Sequence, residues 1–121
     1  MAWKFDNNFP IYIQIANTIK LQIVTHQLNS GDKLPTVRDL AEIAGVNPNT
    51  VQRALSDLES EGFVYSVRTT GRFVTDNLDL IQQTRVSLAK DELENFVTNM
   101  LDLGFEQEEL VQQLENYLQG E

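Results

Sequence analysis

Apolar residues recur at helical spacing in three successive segments of the first half of the chain. Pro10 can open the first helix, which this spacing predicts over Ile11 to His26, before the turn at Asn29 to Asp32. The apolar face of this helix consists of Tyr12, Ile15, Ala16, Ile19 and Ile23. One face of the helix is therefore suited to a core and the other to water.

Two shorter helices are predicted on either side of a tight turn. Thr36 and Asp39 have the spacing of a capping box at the start of the second helix, and Gly45 suits a left-handed terminus at its end. Asn47 can cap the third helix, and Pro48 fits its first turn. The apolar positions of these two helices are Val37, Leu40, Ala41, Ala44, Val51, Ala54, Leu55 and Leu58.

The spacing of apolar residues changes toward a period of two after Gly62. Phe63 to Val67 and Arg72 to Thr75 are rich in β-branched and aromatic residues, and they flank the turn at residues 68–71. This pattern predicts a β-hairpin. Helix, helix, tight turn, helix and hairpin follow one another as in a winged helix-turn-helix, whose third helix lies in the major groove of DNA.

The last third of the chain predicts two more amphipathic helices, separated by Gly104. The first covers about residues 78–103, although Ser87 to Asp91 interrupts its apolar face and leaves open whether it is one helix or two. The second covers Glu106 to Leu118. The predicted fold is mainly α with a small β-hairpin (α+β). It comprises a winged helix-turn-helix domain over residues 1–76 and a two-helix segment over residues 77–121.

Charge is distributed unevenly between these two regions. The 121-residue chain has a formal net charge of −9, and an acidic protein is a poor general candidate for binding nucleic acid. Residues 1–76, however, hold seven Lys or Arg against eight Asp or Glu, whereas residues 77–121 hold two against ten. The acidic excess lies in the tail, so it does not exclude DNA binding by the first domain.

The residue content offers little for catalysis or for metal binding. The chain has no cysteine and a single histidine, His26, which excludes thiolate and multi-histidine metal sites within one chain. It also has no nucleophile–base pair and no Gly-rich phosphate loop. We therefore predict a protein that is not an enzyme and has no metal or cofactor. No apolar run approaches the roughly 20 residues that span a bilayer, and the first residues lack a signal-peptide core, so we expect a cytoplasmic protein without a membrane partner.

Several polar residues are placed to contact DNA. On the third helix, over about residues 48–60, Arg53 suits hydrogen bonding to guanine and Gln52 to adenine. Thr36 and Arg38, at the start of the second helix, suit phosphate, and the hairpin over about residues 63–75 suits backbone or minor groove. The predicted DNA-binding residues are Thr36, Arg38, Asn49, Thr50, Gln52, Arg53, Ser56, Arg68, Thr69, Thr70, Gly71 and Arg72.

Four ordered motifs carry a resemblance to a known family. They are GDKLPTVRDLA from Gly31, GVNPNTV from Gly45, LESEGF from Leu58 and GRFV from Gly71. Together they resemble the DNA-binding domain of the GntR family of bacterial transcription regulators, over about residues 10–75. The resemblance implies that Arg38, the N-terminal part of the third helix and the wing contact double-stranded DNA.

The length of the tail indicates the type of regulator. About 45 residues are too few for the ligand-binding or aminotransferase-like domains of larger family members, and the chain resembles the short YtrA-like regulators. This resemblance implies that the tail forms a homodimer, and it suggests control of a transporter operon and of the regulator's own gene. The predicted dimer-interface residues are Leu93, Phe96, Val97, Met100, Leu101, Leu110, Val111, Leu114, Tyr117 and Leu118.

The resulting prediction is a homodimeric repressor that binds a palindromic operator. A winged-helix module used for protein contacts remains the alternative, because the whole chain is acidic. A small-molecule effector is a further candidate partner, with the dimer cleft and the junction of tail and winged domain as candidate sites, but no group of polar residues identifies it. Trp3, Phe5 and Phe9 are expected to pack on the winged domain, with the partner subunit as the alternative for Trp3 and Phe5.

Overall fold

The structure, a computed structural model, describes residues 3–120 of the chain. Within this range the elements are α-helices, one short 3₁₀ turn and a two-stranded antiparallel hairpin. Their bounds are α1 Ile11–Val24, α2 Val37–Ala44, α3 Pro48–Ser60, β1 Val64–Val67, β2 Gly71–Val74, α4 Leu78–Asp102, the 3₁₀ turn Gln107–Glu109 and α5 Leu110–Leu118. The chain divides into two compact units, one ending at Gln83 and the other starting at Thr84.

The core of the first unit lies where α1, α2 and β1 pack against α3. The predicted apolar faces of these helices turn inward, with Val37 and Tyr12 half-buried at the edge. Burial of these faces provides the main favourable term for folding of the unit. The largest fully buried side chains are Ile15, Ile19, Ile23, Leu55, Leu58, Val51 and Val74.

Capping fixes the turn between α2 and α3 as the sequence predicts. The Thr36 hydroxyl accepts a hydrogen bond from the Asp39 backbone N–H at 3.1 Å, which caps α2. Gly45 ends this helix with a φ of +74°, a left-handed conformation that side chains other than glycine rarely adopt. Asn47 Oδ1 accepts from the Asn49 backbone N–H at 2.8 Å and caps α3. The start of α3 is therefore fixed relative to the end of α2.

Replacing the α3 cap tests this description. We expect Asn47→Ala to lower the free energy of unfolding by about 1 kcal/mol, because it leaves a helix-terminal N–H without its side-chain acceptor. Chemical denaturation measures the change. Asn47→Asp keeps a carboxyl oxygen in the same place and is expected to unfold like the wild type. Equal destabilisation by both variants would show that the amide has a role other than capping.

Several predicted boundaries need correction. The first helix ends at Val24, not at His26, because His26 adopts a φ of +63° and leaves the right-handed helix. The segment predicted as one helix from Glu106 begins with a 3₁₀ turn, and its α-helix starts at Leu110. The first strand of the hairpin begins one residue later than predicted, at Val64, and the second is shifted by one residue to Gly71–Val74. Helix ends are where such differences commonly fall.

The hairpin has a partner on its second edge. β1 and β2 pair in register from Val64 with Val74 to Val67 with Gly71. The opposite edge of β2 pairs with the segment before α2, where the Leu34 N–H donates to the Arg72 carbonyl at 2.9 Å. The base of the hairpin is thus held between β1 and this segment.

The N-terminal aromatic residues divide into two groups. Trp3 and Phe5 lie with ring centroids 6.5 Å apart and pack against the edge of the core, as expected. Phe9, by contrast, is 60% exposed, so the expectation that it packs on the domain is wrong. It lies just before Pro10, where the chain turns to begin α1.

The second unit contains most of α4, the 3₁₀ turn and α5. α4 is one uninterrupted helix, because Ser87 to Asp91 contains neither proline nor glycine to end it. Leu110 is buried, and Phe96, Val97 and Met100 are half-buried. The other predicted interface residues are exposed, namely Leu93, Leu101, Val111, Leu114, Tyr117 and Leu118. None of the helices within residues 3–120 combines the length and the apolar character that a membrane crossing requires.

Candidate nucleic-acid interface

The outer face of α3 carries the polar residues predicted for it. Thr50 is half-buried, and the other four are exposed: Asn49, Gln52, Arg53 and Ser56. Gln52 Nε2 donates to Ser56 Oγ at 3.4 Å, one helical turn further along. Amide, hydroxyl and guanidinium groups on one helix face can hydrogen-bond to the edges of bases in a major groove.

Arg53 has a partner on α1 that the sequence did not indicate. Its guanidinium carbon lies 3.8 Å from the centroid of the Tyr12 ring, and its Nη2 donates to the Tyr12 hydroxyl at 3.1 Å. Tyr12 was predicted only as part of the apolar face of the first helix. No local pattern signals a contact between residues 41 positions apart. Only the packing of α1 on α3 brings them together.

Thr36 and Arg38 lie at the N-terminal end of α2. Thr36 accepts its capping hydrogen bond and keeps its hydroxyl proton to donate elsewhere. Arg38 is exposed and, among residues 3–120, has no hydrogen-bond or ion-pair partner. It lines a shallow surface groove beside the turn between α2 and α3. A free guanidinium and a free hydroxyl proton beside a helix N-terminus suit an anionic ligand.

The tip of the hairpin is exposed and polar. Arg68, Thr69 and Thr70 form its loop, and the Thr70 N–H donates to the Val67 carbonyl at 3.0 Å. Thr69 has a φ of +65°, an uncommon conformation for a β-branched residue. Gly71 follows with a φ of +132°. The strain at Thr69 is retained at the exposed tip of the hairpin.

Arg72 is tied to α3 through Glu59. Arg72 Nε lies 3.3 Å from Glu59 Oε1, and Ser66 Oγ donates to the same carboxylate oxygen at 2.6 Å. One side chain near the end of α3 therefore binds both strands of the hairpin. Glu59 was part of a family motif in the sequence, but its contacts with the hairpin were not predicted.

Lys33 is a cation next to the hairpin that the sequence analysis missed. It belongs to the segment paired with β2, and its side chain passes over Gly71, where an added Cβ would come within 3.1 Å of Lys33 Cε. Lys33 also lines a groove between the hairpin and the start of α2, together with Pro35, Thr36, Thr70 and Arg72. The signal for it was weak, because this short bridging segment lacks the alternation of a strand.

These features define the class of the protein. A capped helix–turn–helix presents the polar face of α3, and a β-hairpin with a basic tip is anchored to the end of that helix. This is a winged helix-turn-helix, the architecture predicted from the sequence. The hairpin of residues 64–74 is its wing.

Comparison with known proteins identifies the family. The profile described as "Bacterial regulatory proteins, gntR family" matches residues 11–74. The chain belongs to the GntR family of DNA-binding transcription regulators and is of the YtrA-like type.

Similar proteins extend the comparison beyond the winged domain. The HTH-type transcriptional repressor YtrA of Bacillus subtilis is 34% identical over 102 residues, which cover 84% of this chain and 78% of YtrA. A GntR family transcriptional regulator from Listeria monocytogenes has a TM-score of 0.84 and 40% identity, covering 93% of this chain and 98% of that one. The AraR DNA-binding domain in complex with operator ORX1 has a TM-score of 0.54 and 30% identity, covering 62% of this chain and 92% of that domain.

Proposed function

We propose that the protein is a homodimeric repressor that binds a palindromic operator. The observation that carries the DNA-binding part of this proposal is the coupling of the polar helix α3 to the wing by the Glu59 contacts. α3 is then a recognition helix in the major groove, and the wing contacts the adjacent backbone or minor groove. The likeness to an operator-bound AraR domain supports DNA as the partner.

Base recognition and phosphate contact fall to different residues. Asn49, Thr50, Gln52, Arg53 and Ser56 contact the major groove. Thr36 and Arg38 contact phosphate, and the wing residues contact backbone or minor groove, namely Arg68, Thr69, Thr70, Gly71 and Arg72. Lys33 joins this second group because it lies beside the wing. The groove between the wing and α2 accepts a phosphate of the DNA strand that passes between them.

The second unit supplies the dimer interface. Val111, Leu114 and Leu118 recur at i, i+3 and i+7 on α5, and each is exposed in the single chain. Tyr117 and the exposed leucines of α4 extend the apolar surface. A twofold partner covers such a surface and removes it from water. Leu110 is already buried in its own chain, so it supports α5 from inside.

Repression follows from occupancy of a promoter. A symmetric dimer presents two recognition helices, which match two half-sites about one helical turn of DNA apart. A bound dimer then occludes the promoter from polymerase. The relative YtrA carries the description of a repressor, which supports the same direction of regulation here.

A titration of the purified protein by fluorescence anisotropy tests the proposal. The probe is the duplex upstream of the protein's own coding sequence, followed by a library of genomic fragments, with a shuffled duplex as competitor. We expect tight binding of two protomers per duplex that weakens steeply with salt. Equal binding to shuffled DNA across the whole library would contradict the function and favour a winged-helix module for protein contacts.

Lys33 provides a separate prediction. Because Lys33 is proposed to contact one phosphate per protomer, Lys33→Ala should flatten the slope of log affinity against log salt by about two for the dimer. Titration at four salt concentrations measures the slope. Lys90→Ala removes one cation from α4 and serves as the control with an unchanged slope. An unchanged slope for Lys33→Ala would remove Lys33 from the interface.

A further inference from the structure

The contact between Tyr12 on α1 and Arg53 on α3 supports a further role for Tyr12. We propose that Tyr12 is a positioning residue of the DNA interface, which holds the Arg53 guanidinium in place and donates its own phenolic proton beside it. This inference rests on the DNA-binding function proposed above. It extends the interface to α1, a helix to which the sequence analysis assigned only core packing.

The geometry of the pair restrains Arg53 in two ways. The Arg53 guanidinium stacks on the Tyr12 ring, with its carbon 3.8 Å from the ring centroid. The hydrogen bond from Nη2 to the Tyr12 hydroxyl at 3.1 Å fixes the rotation of the planar guanidinium group. Tyr12 is half-buried at the edge of the core, so its ring is a firm support. An arginine on an exposed helix face otherwise samples many rotamers and loses that freedom on binding.

The partner of Arg53 is neutral, unlike the partners of Arg72 and Lys20. Arg72 is paired with Glu59 and Lys20 with Glu61, so a carboxylate already balances each of these charges. Within residues 3–120, Arg53 has no carboxylate partner. Tyr12 therefore orients Arg53 without neutralising it, and the full positive charge remains for an anionic or acceptor-rich ligand.

The hydrogen-bonding capacity of the pair matches DNA. Arg53 has five N–H donors, of which one is used by Tyr12. The Tyr12 oxygen accepts that hydrogen bond, so its O–H proton is free to donate. The unused hydrogen-bonding groups of the pair are therefore mainly donors, and the acceptors that suit them are phosphate oxygens or O6 and N7 of guanine.

A double-mutant cycle on operator DNA tests the inference. We expect Tyr12→Phe, which keeps the ring and removes the hydroxyl, to weaken operator binding about 3-fold. Tyr12→Leu removes both restraints and is expected to weaken it about 10-fold. In the background of Arg53→Ala, the same two changes should weaken binding less than about 2-fold, because the guanidinium that Tyr12 positions is absent. Ser87→Ala, which removes a hydroxyl from an exposed position of α4 outside the proposed interfaces, is the control with unchanged affinity.

A measurement without DNA separates positioning from stability. The Arg53 Nε–H signal in nitrogen-15 NMR should show restricted side-chain motion in the wild type and averaged motion in Tyr12→Leu. Thermal melting of each variant identifies any loss that comes from unfolding alone. A purely structural Tyr12 would lower the melting temperature while leaving the DNA coupling with Arg53 at zero.

The outcomes for the function and for the inference differ. Failure of the wild type to select any duplex would overturn both. The positioning role alone would be overturned if the wild type binds selectively but Tyr12→Leu weakens DNA binding by the same factor with and without Arg53. Selective binding with the expected loss of coupling in Arg53→Ala would support both.

Discussion

A chain carrying Val111→Glu and Leu114→Glu is expected to sediment as a monomer and to bind its operator about 100-fold more weakly or worse. Both residues are exposed on α5, so the charges do not disturb the core of a single chain. In a dimer they would place four carboxylates in an apolar interface, where burial of unpaired charge is costly.

The large effect on DNA binding arises because two half-sites act together. Once one winged domain is bound, the second binds at a high effective concentration, which commonly contributes two to four orders of magnitude in affinity. A monomer loses this contribution although its recognition surface is intact. Analytical ultracentrifugation and anisotropy titration measure the two effects independently.

The control for added charge is Gln112→Glu. Gln112 lies on the opposite side of α5 from Leu114, where its amide bonds to Asn116 at 2.8 Å. We expect this variant to remain dimeric and to bind the operator normally. A dimeric double variant would show that the protomers associate through another surface.

Arg38→Ala is expected to weaken binding to every duplex by about 100-fold or more. A hydrogen bond to a charged group is typically worth about 1.5–3 kcal/mol, and a dimer loses one at each half-site. Arg38 is exposed and has no partner among the described residues, so its removal should leave the free energy of unfolding nearly unchanged.

The pattern of the loss identifies what Arg38 contacts. A phosphate contact weakens operator and shuffled duplex alike, whereas a base contact relaxes preference at one position of the operator. Arg85→Ala, which removes a cation from α4, is the control and should bind like the wild type. Relaxed preference at a single base pair would contradict the phosphate assignment.

The elements of the fold were predictable because local chemistry determines them. Thr36 and Asn47 cap helices through contacts two or three residues away, and Gly45 supplies a conformation that other residues avoid. Apolar periodicity then indicated which faces are buried. These signals lie within a few residues of one another, so they are readable without tertiary structure.

The arrangement of the candidate site was less predictable because it depends on distant residues. Residue type and helix face predicted that Arg53 can contact a base, but they gave no sign of its partner Tyr12, which is on another helix. Lys33 was missed because its position beside Gly71 arises from pairing with a later strand. The continuity of α4 through Ser87 to Asp91 likewise needed the backbone, since apolar spacing alone left two interpretations.

The Glu59 contacts have a consequence for exchanging specificity between related regulators. A recognition helix transplanted from a relative brings its own residue to position 59, and the wing of this chain relies on a carboxylate there for both Ser66 and Arg72. A chimera that replaces α3 alone, with a residue at position 59 that is not acidic, would leave Arg72 without its counterion and Ser66 without its acceptor. The helix α3 and the wing therefore act as one unit. We expect operator preference to transfer to another regulator only when both are moved together.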